Sequence, residues 1–324
     1  MNLALSVNNL KVHYFTQLGI VKAVDDVSFS LAKNESIGIA GESGCGKSTL
    51  GTALLRSVPF PGKIVDGQIN LGTQNITNLS DTEFDRNIRW KKISIIFQGA
   101  LNSLDPVFTV GSQMKEILKQ HGYFRDNFDV ISDLLESVLL EPTIAKKYPH
   151  ELSGGMKQRV AIAMALLLNP SVLIADEPTT SLDVMVQSQI INLLKKLKKE
   201  RNMSIVFISH DLAVISELSE TIAIMYRGQI VESGISSEIY NKPRHPYTEK
   251  LVTSIPSIKD EENIMLDLQG KSEGFEMLQN SQESIEKDIG CKYVHNCPYA
   301  WEKCHNDPPL INDKNGFVRC WLYE

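Results

Sequence analysis

Residues 41–49 read GESGCGKST, with glycines at 41, 44 and 46, a lysine at 47 and hydroxyls at 48 and 49. Glycines packed this closely suit neither a helix nor a strand interior, but they let a backbone curl until successive N–H groups point inward. An apolar run, Ser36–Ala40, precedes the stretch, and a helix-like run begins at Ser48. A curled row of amides at the positive end of a helix is an anion cradle, and the spacing fits the GxxxxGK[ST] phosphate pattern. Gly41, Gly46, Lys47 and Ser48 hold its fixed positions; Glu42, Ser43, Gly44, Cys45 and Thr49 complete the binding loop. Lys47 is expected on the β/γ-phosphates of a nucleotide and Ser48 on Mg²⁺. Cys45 reads as a small interior side chain without chemistry of its own.

This loop demands an α/β architecture, and the chain supplies one. Ser36–Ala40, Ile93–Phe97, Val172–Ala175 and Ser204–Ile208 are short, nearly continuous apolar runs. Strands buried on both faces look like this, which predicts a parallel sheet covered by helices. Gln187–Glu200 places Ile190, Ile191, Leu194 and Leu197 on one helical face, with lysines opposite. Residues 114–145 read as helical with a break at Pro142, a subdomain inserted between two strands. The expected division is an ATPase domain over 1–235 with a helical subdomain at about 100–150, a connector over 236–290, and a small domain over 291–324.

Composition excludes other classes. A 324-residue chain with 42% hydrophobic and 22% charged residues builds a large core and is neither fibrous nor wholly disordered. A net charge of −6 argues against nucleic acid as the main partner. No stretch approaches the roughly 20 apolar residues of a membrane span. The N-terminus has no basic segment leading into a long apolar one, so a cytosolic location is expected.

A second constellation narrows the chemistry. The run Val172–Ala175 delivers Asp176 and Glu177 at its carboxyl end, where open α/β sheets bind ligands. Asp176 is placed to hold Mg²⁺, and Glu177 to polarise a water attacking the γ-phosphate. Leu152–Arg159 (LSGGMKQR) then puts Ser153, Gly154 and Gly155 ahead of a helix, a second nest of backbone donors.

With that motif the chain resembles the nucleotide-binding subunits of ABC transporters, matching their LSGGQ-type signature except for Met156. The resemblance covers roughly residues 4–235. It implies that Tyr14 stacks on adenine, and that Gln98 is the glutamine contacting Mg²⁺ and the attacking water. It makes Asp183 part of the loop crossing a dimer interface and His210 the histidine at the γ-phosphate. It further implies a head-to-tail dimer, in which Ser153, Gly154 and Gly155 of one chain close the ATP held by the other. No sustained heptads or CxxC pairs suggest the repair-type ABC proteins. Residues 97–106, 243–248 and the cysteine-rich tail resemble the oligopeptide/dipeptide and nickel importer ATPases, with Met156 pointing to the D-type subunit. This implies a second ATPase chain (an F-type relative or a copy of itself), two membrane permeases, an external solute-binding protein, and a peripheral position on the cytoplasmic membrane face. Cargo stays open between peptides and nickel or another small solute, and a soluble ABC ATPase acting on nucleic acid or ribosomes is the alternative of another class.

Four of the five cysteines, Cys291, Cys297, Cys304 and Cys320, fall within the last 34 residues. Such a cluster in a cytosolic chain suggests metal before disulfide, either Zn²⁺ or a [4Fe–4S] cluster, and the spacing does not choose between them. The resemblance favours [4Fe–4S]. His295 and His305 lie between the cysteines as spare ligands. Metal ligation is expected to account for the folding of so short a segment.

Overall fold

The computed structural model describes residues 2–99, 103–124, 127–254 and 290–324. Of the connector expected over 236–290, residues 255–289 lie outside these residues. The first strands are long: β1 (Leu3–Thr16) and β2 (Gly19–Ala32) pair antiparallel. Then come β3 (Ser36–Ala40), α1 (Lys47–Leu54), β4 (Gly62–Leu71), β5 (Gln74–Asn75), α2 (Asp81–Asn87) and β6 (Ile93–Ile96). Helices α3 (Val110–Gln120), α4 (Phe128–Ser137) and α5 (Gly154–Leu166) lead to β7 (Val172–Asp176). After α6 (Val184–Arg201) the chain forms β8 (Ser204–Ser209), α7 (Leu212–Leu218), β9 (Thr221–Tyr226) and β10 (Gln229–Ile235). It closes with α8 (Ser236–Asn241), α9 (Pro246–Thr253), β11 (Leu310–Asn312) and β12 (Phe317–Arg319).

Strands β9-β3-β8-β7-β6 form a parallel core within an eight-stranded sheet of order β11-β12-β10-β9-β3-β8-β7-β6. Side chains alternate across it. On β7 and β8, Leu173, Ala175, Ile205 and Phe207 join one core with α5, α6 and the inserted helices. Val172, Ile174, Val206 and Ile208 face the opposite way, into a core shared with α1 and the four-stranded antiparallel sheet β2-β1-β4-β5. Two apolar faces on each strand explain why those runs carry no polar alternation.

Between β6 and β7 the chain holds α3 and α4, followed by a 3₁₀ turn at Pro142–Lys146. Helix α6 is as the periodicity predicts. It buries Ile190, Ile191, Leu193, Leu194 and Leu197, each worth about 1.5–3 kcal/mol. The Asp183 carboxylate accepts from the Val186 amide at its start, and Asn202 closes it in the left-handed region (φ 50°) beside three basic residues.

The C-terminal segment has a source of order other than the expected metal. Its β12 pairs with β10 and extends the main sheet. Lys292 bonds Asp25 (3.2 Å), Arg319 bonds Asp26 (3.1 Å), and Arg244 pairs with Asp313. Residues 236–254, at the head of the expected connector, are α8 and α9, packed on the body. No helix among the described residues is long and apolar enough to cross a membrane.

Candidate active site

The phosphate loop joins β3 to α1, and its glycines are conformational necessities. Gly46 caps α1 at φ 107°, and a Cβ there would lie 2.0 Å from the Ala23 carbonyl oxygen; one on Gly41 would lie 2.2 Å from that of Met225. Lys47, the first residue of α1, is buried. Its Nζ donates to Gly41 O (2.7 Å) and Glu42 O (2.8 Å), which fixes the ammonium at the loop's mouth. Cys45 is buried and 3.7 Å from the same Nζ; burial, partly offset by the lysine, raises its thiol above the ordinary range. Tyr14, on β1, meets Thr49 of the loop at 3.4 Å between hydroxyls.

Loop and strand end meet at one bond: Ser48 Oγ donates to Asp176 Oδ1 at 3.2 Å. Asp176 is 2% exposed at the carboxyl end of β7. Burial pushes its carboxyl up to about 6, with the Glu177 charge adding and Ser48 and Lys47 opposing. A hydroxyl and a buried carboxylate so placed are the hard oxygen donors that Mg²⁺ takes. The donor set therefore fits that ion.

Glu177 takes a left-handed backbone (φ 46°), with its amide donating to Ile208 O at 2.8 Å. Three side chains converge on its carboxylate. His210 Nδ1 lies 3.0 Å from Oε1, while Gln98 Nε2 (3.0 Å) and Thr180 Oγ1 (2.9 Å) donate to Oε2. Burial alone would raise this carboxyl, but the bonds from His210 and Thr180 prevail and hold it below its usual value. It is thus ionised near neutrality, and three of its roughly four lone-pair positions are engaged, leaving one for a water.

Ser153, Gly154 and Gly155 stand apart from that network. Ser153 caps α5, its Oγ accepting from the Met156 amide at 3.3 Å. A Cβ on Gly154 would meet Leu182, and one on Gly155 would meet Val186, so the signature packs against the loop and helix that carry Asp183. Ser153 and Gly154 are solvent-exposed.

Two contacts had no cue in the sequence reading. Thr180 lies three residues beyond Glu177, and the left-handed turn folds its hydroxyl back onto the carboxylate. Tyr247, on α9, accepts from the Glu42 amide at 2.9 Å across 205 positions of sequence. No local pattern announces a contact of that range.

The tail does not show the expected metal site. Among the described residues no group of three or more His, Cys, Asp or Glu side chains is placed to hold a metal ion, so Cys291, Cys297, Cys304 and Cys320 do not form a closed four-sulfur site. All four are free thiols. Burial pushes Cys291 up to about 11 and raises Cys297 and Cys320, and charges on neighbouring tail cysteines raise these three further. Neutral thiols in apolar surroundings pack as small hydrophobes, and Cys291 and Cys297 lie against a cluster holding Tyr226, Tyr247 and Tyr293.

A phosphate loop at the head of a parallel sheet, with a carboxylate pair at the end of the strand beyond its neighbour, defines the P-loop nucleotide-hydrolase class. Within it, the ABC transporter family profile matches residues 24–180, and that of the oligopeptide/dipeptide transporter C-terminal region matches 231–304. The chain is 40% identical to the oligopeptide transport ATP-binding protein AppD of Bacillus subtilis over 331 aligned positions, covering 100% of this chain and 98% of the relative. It is 38% identical to the dipeptide transport ATP-binding protein DppD of Escherichia coli, covering 95% and 92%. The oligopeptide transport ATP-binding protein AppF of Bacillus subtilis is 40% identical, covering 95% of this chain and 91% of the relative. A solved dimeric ATP-binding cassette in a post-hydrolysis state, bound to ADP and Pi, superposes with a TM-score of 0.62 at 30% identity, covering 72% of this chain and 98% of that one. The chain therefore belongs to the ABC transporter ATP-binding proteins of the oligopeptide/dipeptide group.

Proposed function

We propose that this chain binds Mg·ATP and hydrolyses it as one half of an ATPase dimer that powers import of di- or oligopeptides through separate membrane permeases. The observation that carries the reading is the Glu177 carboxylate, ionised and held by His210, Gln98 and Thr180, one residue from the Asp176–Ser48 bond. Ser48 and Asp176 would hold Mg²⁺, with Gln98 as a further oxygen ligand. The ion would neutralise charge on the β- and γ-phosphate oxygens. Tyr14 carries adenine, and the amides of residues 41–49 with Lys47 bind the phosphates. Glu177 accepts a proton from the attacking water, while Gln98 and His210 orient that water and the γ-phosphate.

The second half of the enclosure comes from another subunit. The free amides of Gly154 and Gly155 at the start of α5, and the exposed Ser153 beside them, suit a phosphate presented from outside the chain. Asp183 sits on the same surface. The partner is an F-type relative or a copy of this chain, and the assembly lies on the cytoplasmic face of the membrane. Peptide cargo rests on the printed names of the relatives. We also propose that the four tail cysteines ligate a [4Fe–4S] cluster, or Zn²⁺ in its place; their clustering at the end of the chain supports this, and ligation requires them to lose their protons and draw closer together.

Reconstitution tests the main reading. Vesicles holding the permeases, this chain and its ATPase partner are expected to accumulate labelled dipeptide only with ATP and a loaded solute-binding protein. Stimulation of ATP hydrolysis by DNA or RNA, with no uptake, would overturn it.

A further inference from the structure

The segment Arg244–Thr248 lies outside every catalytic motif, yet one of its side chains reaches the phosphate loop. Tyr247 is completely buried, and its hydroxyl accepts from the Glu42 amide at 2.9 Å. The carbonyl of that same residue accepts from Lys47 Nζ at 2.8 Å and from the Cys45 amide at 3.3 Å. Glu42 is thus gripped at both polar ends, by Tyr247 on one side and by the phosphate-binding lysine on the other. Rotation of the Glu42 backbone would move the acceptor that fixes Lys47.

The ring is itself rigidly placed. Glu232, buried on β10, accepts from the amides of Arg244 and His245 at 2.9 Å each. His245 caps α9, its Nδ1 accepting from the Tyr247 amide at 3.1 Å. That geometry needs an unprotonated Nδ1, and burial supplies it by pushing His245 down to about 4. Tyr226 packs on the Tyr247 ring at 4.5 Å between centroids, and Tyr293 of the tail at 5.5 Å.

We propose that Tyr247 is a positioning residue for ATP binding, its phenol holding the Glu42 peptide so that the phosphate loop and Lys47 are set before nucleotide arrives. The inference rests on the phosphate-loop reading above and adds a residue that the motifs do not contain. The hydroxyl is the active part. Removing it leaves a part-buried amide without its acceptor and loosens the acceptor of Lys47, which affects the bound nucleotide more than the chemical step.

Tyr247→Phe keeps the ring and deletes the bond, and Tyr226→Phe is the matched control, because its hydroxyl meets Asn296 rather than the loop. The full chain is titrated with a fluorescent ATP analogue and Mg²⁺, and turnover is measured in the assembled transporter. Tyr247→Phe should raise the dissociation constant and KM roughly 5- to 50-fold, with kcat within about twofold of wild type and Tyr226→Phe unchanged in both. A dissociation constant within twofold of wild type, or a loss confined to kcat, would overturn the proposal. So would equal losses in both variants, or a lowered melting temperature with an unaltered KM, since either marks a purely structural role. If wild type fails to bind the analogue, and Lys47→Ala does not differ from it, the phosphate-loop reading fails instead.

Discussion

Two regions of this chain gather buried polar groups, and they do so in opposite ways. At the carboxyl ends of β3 and β7, charged and hydroxylic side chains meet partners of complementary character: Ser48 with Asp176, His210 with Glu177, Lys47 with two carbonyls. In the tail, Cys291, Cys297, Cys304 and Cys320 bring together groups of one kind, and an ionised thiol there raises its neighbours. The first region is organised by the protein alone, because donors and acceptors satisfy one another. The second is organised by apolar packing, with Cys291 and Cys297 against Tyr226, Tyr247 and Tyr293, and by the pairing of β12 with β10. A site of complementary groups is formed before its ligand arrives, whereas a site of like groups waits for the ligand to draw it together.

The sharpest test removes the ionised member of the first region. Glu177→Gln keeps the shape and one oxygen that can still accept from Gln98 and Thr180, but it cannot accept a proton. Hydrolysis is expected to fall about 10²–10⁴-fold while ATP binding persists, read by single-turnover kinetics and by retention of an ATP-bound dimer on size exclusion. Near-normal turnover would remove Glu177 from the proposed role.

A smaller effect separates function from stability within the same region. Asp176 is held near 6 against an ordinary 3.8, so between those values the folded chain binds more protons than the unfolded one. Stability in Mg²⁺-free buffer therefore falls as pH rises from about 4 to 6 and levels off above. Asp176→Asn should abolish that slope and stabilise the metal-free protein at pH 7 by up to about 3 kcal/mol, while losing Mg²⁺-dependent hydrolysis. Urea melts across pH measure the first effect and ATPase assays the second. A variant less stable than wild type at pH 7 would mean that the Ser48 bond outweighs the burial of the charge.

The smallest expected change in catalysis lies in the tail. Cys304→Ser should eliminate iron, labile sulfide and visible absorption from anaerobically prepared protein, with ATP hydrolysis altered less than about twofold. A colourless wild type carrying zinc would assign the site to Zn²⁺. A wild type with neither metal ends the proposal of a metal site and leaves four thiols packed as apolar groups.

Contiguous features of the chain were legible from sequence. The glycines of 41–49, the doubly apolar strands and the period of α6 are local patterns whose consequences follow from backbone sterics and burial. Asp176 and Glu177 could be placed at a strand end for the same reason. The antiparallel sheet β2-β1-β4-β5 is not legible in the sequence, because its strands alternate weakly and pair through bulges. Nor is the pairing of β12 with β10, as three-residue strands carry too little pattern to declare a register.

By itself, then, the order of residues determined which groups could do chemistry and the sheet that would carry them, since these depend on neighbours a few positions away. Only the tertiary structure decided that Thr180 folds onto Glu177, that Tyr247 holds Glu42, and that the tail cysteines converge without closing on one another. Those outcomes depend on how distant segments share one buried volume, where a hydrogen bond or an apolar contact acts over a few ångströms and takes no account of separation along the chain.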